Sequence, residues 1–146
     1  MKLRGNSPAK VDEKGRLKIP AVFLDGLKEY GTQFYITSIS GEDARIYPLS
    51  VWSEIEDRLA ALPSQHAGKR KFLLRTSYYG QVVELDGQGR LLIPAVLREA
   101  AQMKGDVDVI GQLTYVEVWN HARFLEHLNK GPMTDEDLKV LDELGI

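Results

Sequence analysis

Apolar residues come along the chain in short bursts, each closed by glycine, proline or aspartate, and the series of bursts runs through twice. Leu17-Lys18-Ile19 and Leu91-Leu92-Ile93 are aliphatic enough to predict two short strands. Pro20 and Pro94 follow them. Proline has no N–H to donate and pushes the preceding residue into an extended conformation, so each one ends a strand and suits the first turn of a helix. Helices are predicted over 21–27 and 95–103. Residues 33–39 and 45–47 predict a hairpin around Gly41-Glu42-Asp43, stopped by Pro48. Residues 106–110 and 114–119 repeat it around Gly111-Gln112. A helix over 50–62, with Ser50 as its expected cap and Trp52, Ile55 and Leu59 at helical spacing, is matched by one over 120–129 with Phe124, Leu125 and Leu128. Pro63-Ser64-Gln65 breaks the first of these helices. Residues 66–77 then predict a basic helix and 79–85 a strand. A last helix over 134–144 has Thr134 as N-cap, Asp137 three residues on, and a thin stripe of Leu138, Leu141 and Leu144.

The repetition is literal at one place. Residues 11–23 read VDEKGRLKIPAVF and residues 85–97 read LDGQGRLLIPAVL, at a constant offset of 74. Asp12/Asp86, Gly15/Gly89, Arg16/Arg90, Ile19/Ile93, Pro20/Pro94, Ala21/Ala95 and Val22/Val96 are identical. An internal duplication means two copies of one supersecondary unit, and any surface that one copy builds is presented twice. Each half is short for an independent core, so the halves are expected to pack on each other or interdigitate. The expected layout is a first repeat at 1–62, a basic connecting segment at 63–78, a second repeat at 79–130 and an acidic tail helix at 131–146.

Composition narrows the class. With 146 residues, 43% hydrophobic and 27% charged, the chain suits one soluble domain or two small halves. It has no cysteine, which excludes a disulfide framework and thiol chemistry. No apolar run approaches the roughly 18 residues of a membrane span, and MKLRGNSPAKVDEKGR lacks the apolar stretch of a signal peptide. The expected compartment is the cytoplasm, or the nucleoid within it, with no membrane partner. The net charge of -2 hides a separation of sign. Lys2, Arg4, Lys10, Lys14, Arg16 and Lys18 crowd the first 18 residues, Lys69, Arg70, Lys71 and Arg75 form a second basic cluster, and Asp135, Glu136, Asp137, Asp142 and Glu143 make the tail acidic. Such separation matters more than the total for a polyanionic partner.

In the repeated D-x-x-G-R, the aspartate opens a turn by accepting a backbone N–H, the glycine supplies a positive φ, and the proline starts a helix. The arginine has no such structural duty. Beside inward-pointing aliphatics, Arg16 and Arg90 fit a surface that meets phosphate or base edges. A salt bridge to Asp12 or Asp86 is the other reading, and the two roles are compatible. Lys14 and Lys18 add charge at the first turn, where Gln88 and Leu92 stand in the second, and Arg4 and Lys2 lie just upstream.

The paired D-x-x-G-R-x-x-I-P motif, the half-length repeat and the Glu117-Val118-Trp119 segment together resemble the MraZ family, over nearly the whole chain from Arg4-Gly5 to about Leu128. The resemblance implies an α+β fold, a pseudo-twofold swapped-hairpin β-barrel of the SpoVT/AbrB type with short outer helices. It implies a ring-shaped homo-oligomer. It also implies a sequence-specific regulator of transcription that binds double-stranded DNA at direct repeats in the promoter of the division and cell wall gene cluster. The family's DNA-contacting arginine carries over to Arg16 and Arg90 and its aspartate to Asp12 and Asp86, with Lys14, Lys18 and Arg4 as supporting residues. The chain departs from the family's pattern at Gln88, at Leu24-Asp25-Gly26 and in the bulky stretch Arg75-Thr76-Ser77-Tyr78-Tyr79.

The residues alone admit three other readings. His66, His121 and His127 lack zinc-ligand spacing, and there is neither a P-loop nor G-x-G-x-x-G, so no enzyme, metal, cofactor or small-molecule substrate is expected. The tail at 134–146 could wrap a protein partner, as in single-copy antitoxins of this type, or cap a neighbouring subunit. Tyr78, Tyr79, Trp52 and Trp119 could stack on single-stranded bases, although their positions suit core packing.

Overall fold

The computed structural model describes residues 2–146. Strand β1 (Asn6–Val11) enters the first repeated turn and β2 (Arg16–Lys18) returns beside it, with the Asp12 N–H donating to the Arg16 carbonyl at 2.9 Å. Residues 33–48 form the second hairpin, β3 (Gln33–Thr37) and β4 (Ala44–Pro48). The unit then recurs: β5 (Gln81–Glu84) and β6 (Arg90–Leu92) flank the second repeated turn, and β7 (Gly105–Gly111) and β8 (Val116–Asn120) form the last hairpin.

The pairing is exchanged between halves. β1 lies antiparallel on β7, from Asn6↔Ile110 to Val11↔Gly105, and β5 lies on β3, from Gln33↔Glu84 to Ile36↔Gln81. Like strands meet at the centre, β2 on β6 with Leu17 opposite Leu91 and β4 on β8 with Arg45 opposite Glu117. This is a swapped-hairpin arrangement about a pseudo-twofold axis. The strand order is β5-β3-β4-β8-β7-β1-β2-β6, and its two ends, β5 and β6, are arms of one hairpin. The eight strands therefore curl into a nearly closed barrel, which leaves little unpaired edge.

Period-two alternation fills the interior. Leu17, Ile36, Ile46, Leu91, Val109 and Val118 point inward and are sealed from water. Each such side chain contributes roughly 1.5–3 kcal/mol relative to an exposed one. Helices α1 (Ala21–Lys28) and α4 (Ala95–Ala100) add Phe23, Leu27 and Leu97 to the same core.

The remaining helices are α2 (Leu49–Ala60), α3 (Ala67–Tyr78), α5 (His121–Lys130) and α6 (Asp135–Glu143). On the barrel's outer face Trp52 of α2 stacks on Tyr35 and leans on Tyr47, with ring centroids 4.7 and 5.0 Å apart, and Phe72 of α3 covers its far side. Phe124 and His127 of α5 cover Trp119 in the corresponding place. Trp52 and Trp119 are thus buried in helix–sheet packing, which removes them as platforms for single-stranded bases.

Several boundaries differ from the sequence expectation. Ser50 does not cap α2, which starts at Leu49 behind Pro48. α4 stops at Ala100 rather than reaching 103, because Gln102 takes φ 53°. The Met103 N–H then returns to the Arg98 carbonyl at 2.9 Å and that of Gln102 to Glu99 at 3.3 Å, the paired bonds of a Schellman stop. The basic helix starts one residue later than expected, with His66 as its cap: the His66 Nδ1 accepts from the Lys69 N–H at 3.1 Å. Strand β5 is shorter than the expected 79–85. Thr134 and Asp137 form the reciprocal capping box foreseen for the tail helix.

Candidate nucleic-acid interface

The two repeated turns are built alike, their corresponding hydrogen bonds agreeing to within 0.2 Å. In the first, Asp12 Oδ1 accepts from the N–H groups of Lys14 at 3.0 Å and Arg16 at 2.9 Å. In the second, Asp86 Oδ1 accepts from Gln88 at 2.8 Å and Arg90 at 2.9 Å. Gly15 and Gly89 take φ +85° and +73°, the left-handed conformation that the turn needs and that other residues resist. The other carboxylate oxygen takes the arginine: Arg16 Nε donates to Asp12 Oδ2 at 2.8 Å, and Arg90 Nε to Asp86 Oδ2 at 2.9 Å. The arginine backbone N–H is the largest cause holding each aspartate below the usual carboxylate pKa, with the guanidinium adding to it and burial opposing it.

Both readings of the arginine left open by the sequence therefore meet in one geometry. The salt bridge forms, but through Nε. Among the described residues, no protein hydrogen bond takes the terminal nitrogens of Arg16 or Arg90. The two side chains keep 30% and 25% of their surface exposed.

Strand register sets the spacing. Leu17 and Leu91 point into the core, so Arg16, Lys18, Arg90 and Leu92 share the outer face of the β2–β6 pair. Arg16 stands opposite Leu92 and Lys18 opposite Arg90. Arg16 and Arg90 are therefore diagonal neighbours, about 7–8 Å apart by ordinary sheet geometry. The Ile19 N–H bonds to the Gly89 carbonyl at 2.9 Å and that of Ile93 to Gly15 at 3.0 Å, which clamps each turn against the other repeat.

Side chains brace the turns crosswise. Lys18 Nζ donates to the Gln88 carbonyl. Arg98 of α4 donates to the Lys14 carbonyl at 3.2 Å and lies directly over Gly15. Arg98 was not among the residues picked out by sequence. The repeat offset would have found it, because it maps Arg98 onto Leu24, the departure already noted. Lys14 is exposed at the tip of the first turn. Arg4 is placed elsewhere: it precedes β1, beside the bridge between Leu3 and Leu113 at the β7–β8 turn, the length of a strand away from Asp12. Lys2, also exposed, sits at that same end.

A sequence profile of the MraZ protein family matches residues 3–75 and 80–138. A protein of Acidobacterium capsulatum named "Transcriptional regulator MraZ" is 52% identical over 144 residues, covering 98% of this chain and 99% of the relative. One of the same name from Koribacter versatilis is 48% identical over 145 residues, covering 98% and 99%. A third, from Moorella thermoacetica, is 41% identical over 134 residues, covering 91% and 89%. With two motif turns of one geometry and matches along almost its whole length, the chain belongs to the MraZ family.

Proposed function

We propose that this protein is a sequence-specific DNA-binding regulator of transcription that acts on the promoter of the division and cell wall gene cluster through direct repeats. The observation that carries the reading is the outer face of β2–β6, where two guanidinium groups are aimed by carboxylates through Nε and keep their terminal donors for an outside acceptor. A two-stranded ribbon fits the major groove of B-DNA, about 12 Å wide, where arginine pairs with guanine edges or phosphate. In this reading Arg16 and Arg90 make the central contacts and Asp12 and Asp86 orient them. Lys14 and Lys18 add phosphate attraction at the turns, and Arg4 adds it from the far end of β1. No helix among the described residues is long and apolar enough to cross a membrane. The cytoplasm and nucleoid are the compartments that suit such a regulator.

So few cations per chain give weak, salt-sensitive binding. A ring of identical chains repeats the patch, and neighbouring subunits then engage successive DNA repeats at high effective concentration. Gel-shift titration with the DNA upstream of the protein's own operon tests both points. Arg16→Ala or Arg90→Ala is expected to weaken binding about 10- to 100-fold, and the double change to abolish it with assembly size unchanged. Cutting the operator to one repeat is expected to cost more than either single change. Equal binding by the double variant overturns the interface, and equal affinity for one repeat and three overturns the avidity.

A further inference from the structure

Two helices of the chain carry faces that stay exposed among the described residues, and the faces are complementary. Every residue of α6 is exposed except Leu141, which is half-buried. Its stripe of Leu138, Leu141 and Leu144 therefore stands open, with Leu138 and Leu144 53% and 71% exposed. Acidic Asp135, Glu136, Asp142 and Glu143 surround that stripe. The reciprocal capping box gives this helix a defined start without any tertiary support. An isolated nine-residue helix is marginal in water, so its apolar stripe calls for a partner surface.

That surface is present on α3. Lys69, Phe72, Leu73 and Thr76 turn toward the body of the protein, where the Thr76 carbonyl accepts from the hydroxyls of Tyr35 at 2.9 Å and Thr37 at 2.7 Å. The opposite face presents Leu74 and Tyr78, 56% and 66% exposed, at helical spacing. Arg70, Lys71 and Arg75 flank them, and α3 has no acid. A phosphate backbone has no use for the apolar centre of this patch, whereas a short acidic amphipathic helix matches both its parts.

We propose that α6 of one copy docks on α3 of a second copy, leucine stripe on Leu74 and Tyr78, with acidic flanks against Arg70, Lys71 and Arg75. The two patches differ and lie at different places on the chain. Unless two copies exchange it reciprocally as a twofold pair, such a contact runs head-to-tail, the kind that closes into a ring when the rotation allows. This rests on the self-assembly part of the reading above and names a contact that builds it.

The test uses the full chain. Arg70→Glu with Arg75→Glu on α3, or Asp135→Lys with Asp142→Lys on α6, is expected to raise the concentration needed for assembly roughly tenfold or more. Combining all four changes is expected to restore it, as read by sedimentation against the 16.4 kDa single chain. The chain has no cysteine, so Leu74→Cys with Leu138→Cys reports the contact directly: oxidation is expected to give a ladder of linked chains on a non-reducing gel. An internally linked single chain overturns the proposal in favour of docking within one copy. Loss of DNA binding by the α3 variant with assembly unchanged overturns it in favour of a nucleic-acid surface. A wild-type chain that sediments as a monomer overturns the docking and the ring together. An assembled chain that neither reversal shifts, and that gives no ladder, overturns the docking alone.

Discussion

A guanidinium held through Nε differs from one held through its two terminal nitrogens. The first is aimed and still has donors to give, and the second is used up. Arg16 and Arg90 are of the first kind. That an arginine stood where a turn needs none was legible in the sequence, but which nitrogen the aspartate would take was not, because spacing does not set side-chain rotation. Arg4 shows the same limit: proximity in sequence placed it with the turn, and the extended β1 carries it away. Asp43 escaped the sequence reading except as a turn residue. It is buried beside Glu117, with Arg45 Nε 4.0 Å away, and burial first and the hydrogen bond with Glu117 second raise its pKa from 3.8 to about 7. The folded state therefore keeps a proton that the unfolded chain releases near 3.8. The stability this gives is complete below that value and is lost as pH climbs through about 7. Asp12, Asp86 and Asp137, with lowered pKa values, act in the opposite sense and lose their contribution only in more acid solution. Asp43→Asn is expected to flatten the decline between about pH 4 and pH 7 and to stabilise the protein at about pH 8 by on the order of 2–3 kcal/mol. Thermal unfolding followed at several pH values checks this, and an unchanged slope counts against a proton shared at Asp43.

At the scale of elements, the sequence showed which segments are strands and helices more clearly than where they stop. Pro20 and Pro94 were read as helix starters and Pro48 as the end of a strand, yet all three stand one residue before a helix, with φ between -58° and -52° and ψ near 140°. Ser50 was the better cap by residue type, but a proline just ahead of it had already turned the chain. The stop of α4 at a left-handed Gln102 carried no glycine or asparagine to announce it. The repeated turns, by contrast, were legible because aspartate and glycine each have one physical duty there. The duty of the glycines makes a comparison possible. Alanine at either position adopts a positive φ at a cost of about 1–2 kcal/mol. A Cβ on Gly89 would meet only Leu24 at 3.6 Å, whereas one on Gly15 would fall within 2.5 Å of the Arg98 guanidinium and displace it from the Lys14 carbonyl. Gly15→Ala is therefore expected to lower the unfolding midpoint in urea more than Gly89→Ala. Equal losses would mean that Arg98 does not brace the turn.

For the whole molecule, the duplication implied two halves that pack on each other or interdigitate, the family resemblance pointed to exchanged hairpins, and which strands pair came from the structure. In the assembled chain β1–β2 finds its partner β7 in the second half, and β5–β6 finds β3 in the first. Residues 1–62 alone have no β7, so both hairpins would be left with open edges and half a core. Such a fragment is expected to be unfolded as a monomer. Two copies could in principle repeat the exchange about a true twofold axis. At β2 the axis would set Leu17 against Leu17, which reproduces the native contact of Leu17 with Leu91. At β4 it would set Arg45 against Arg45, where the whole chain has Arg45 against Glu117. Like charges directly opposite across a strand pair are destabilising, and the side chain of Arg45 is already about three-quarters buried. The fragment is thus expected to dimerise poorly, and Arg45→Thr to let it fold as a dimer, seen by circular dichroism and sedimentation velocity. A folded monomer of 1–62 would show that the exchanged strands are not what holds each half together. Equal dimerisation with and without Arg45 would show that the divergence of the two repeats at this one pair does not favour the tandem chain over pairing between halves.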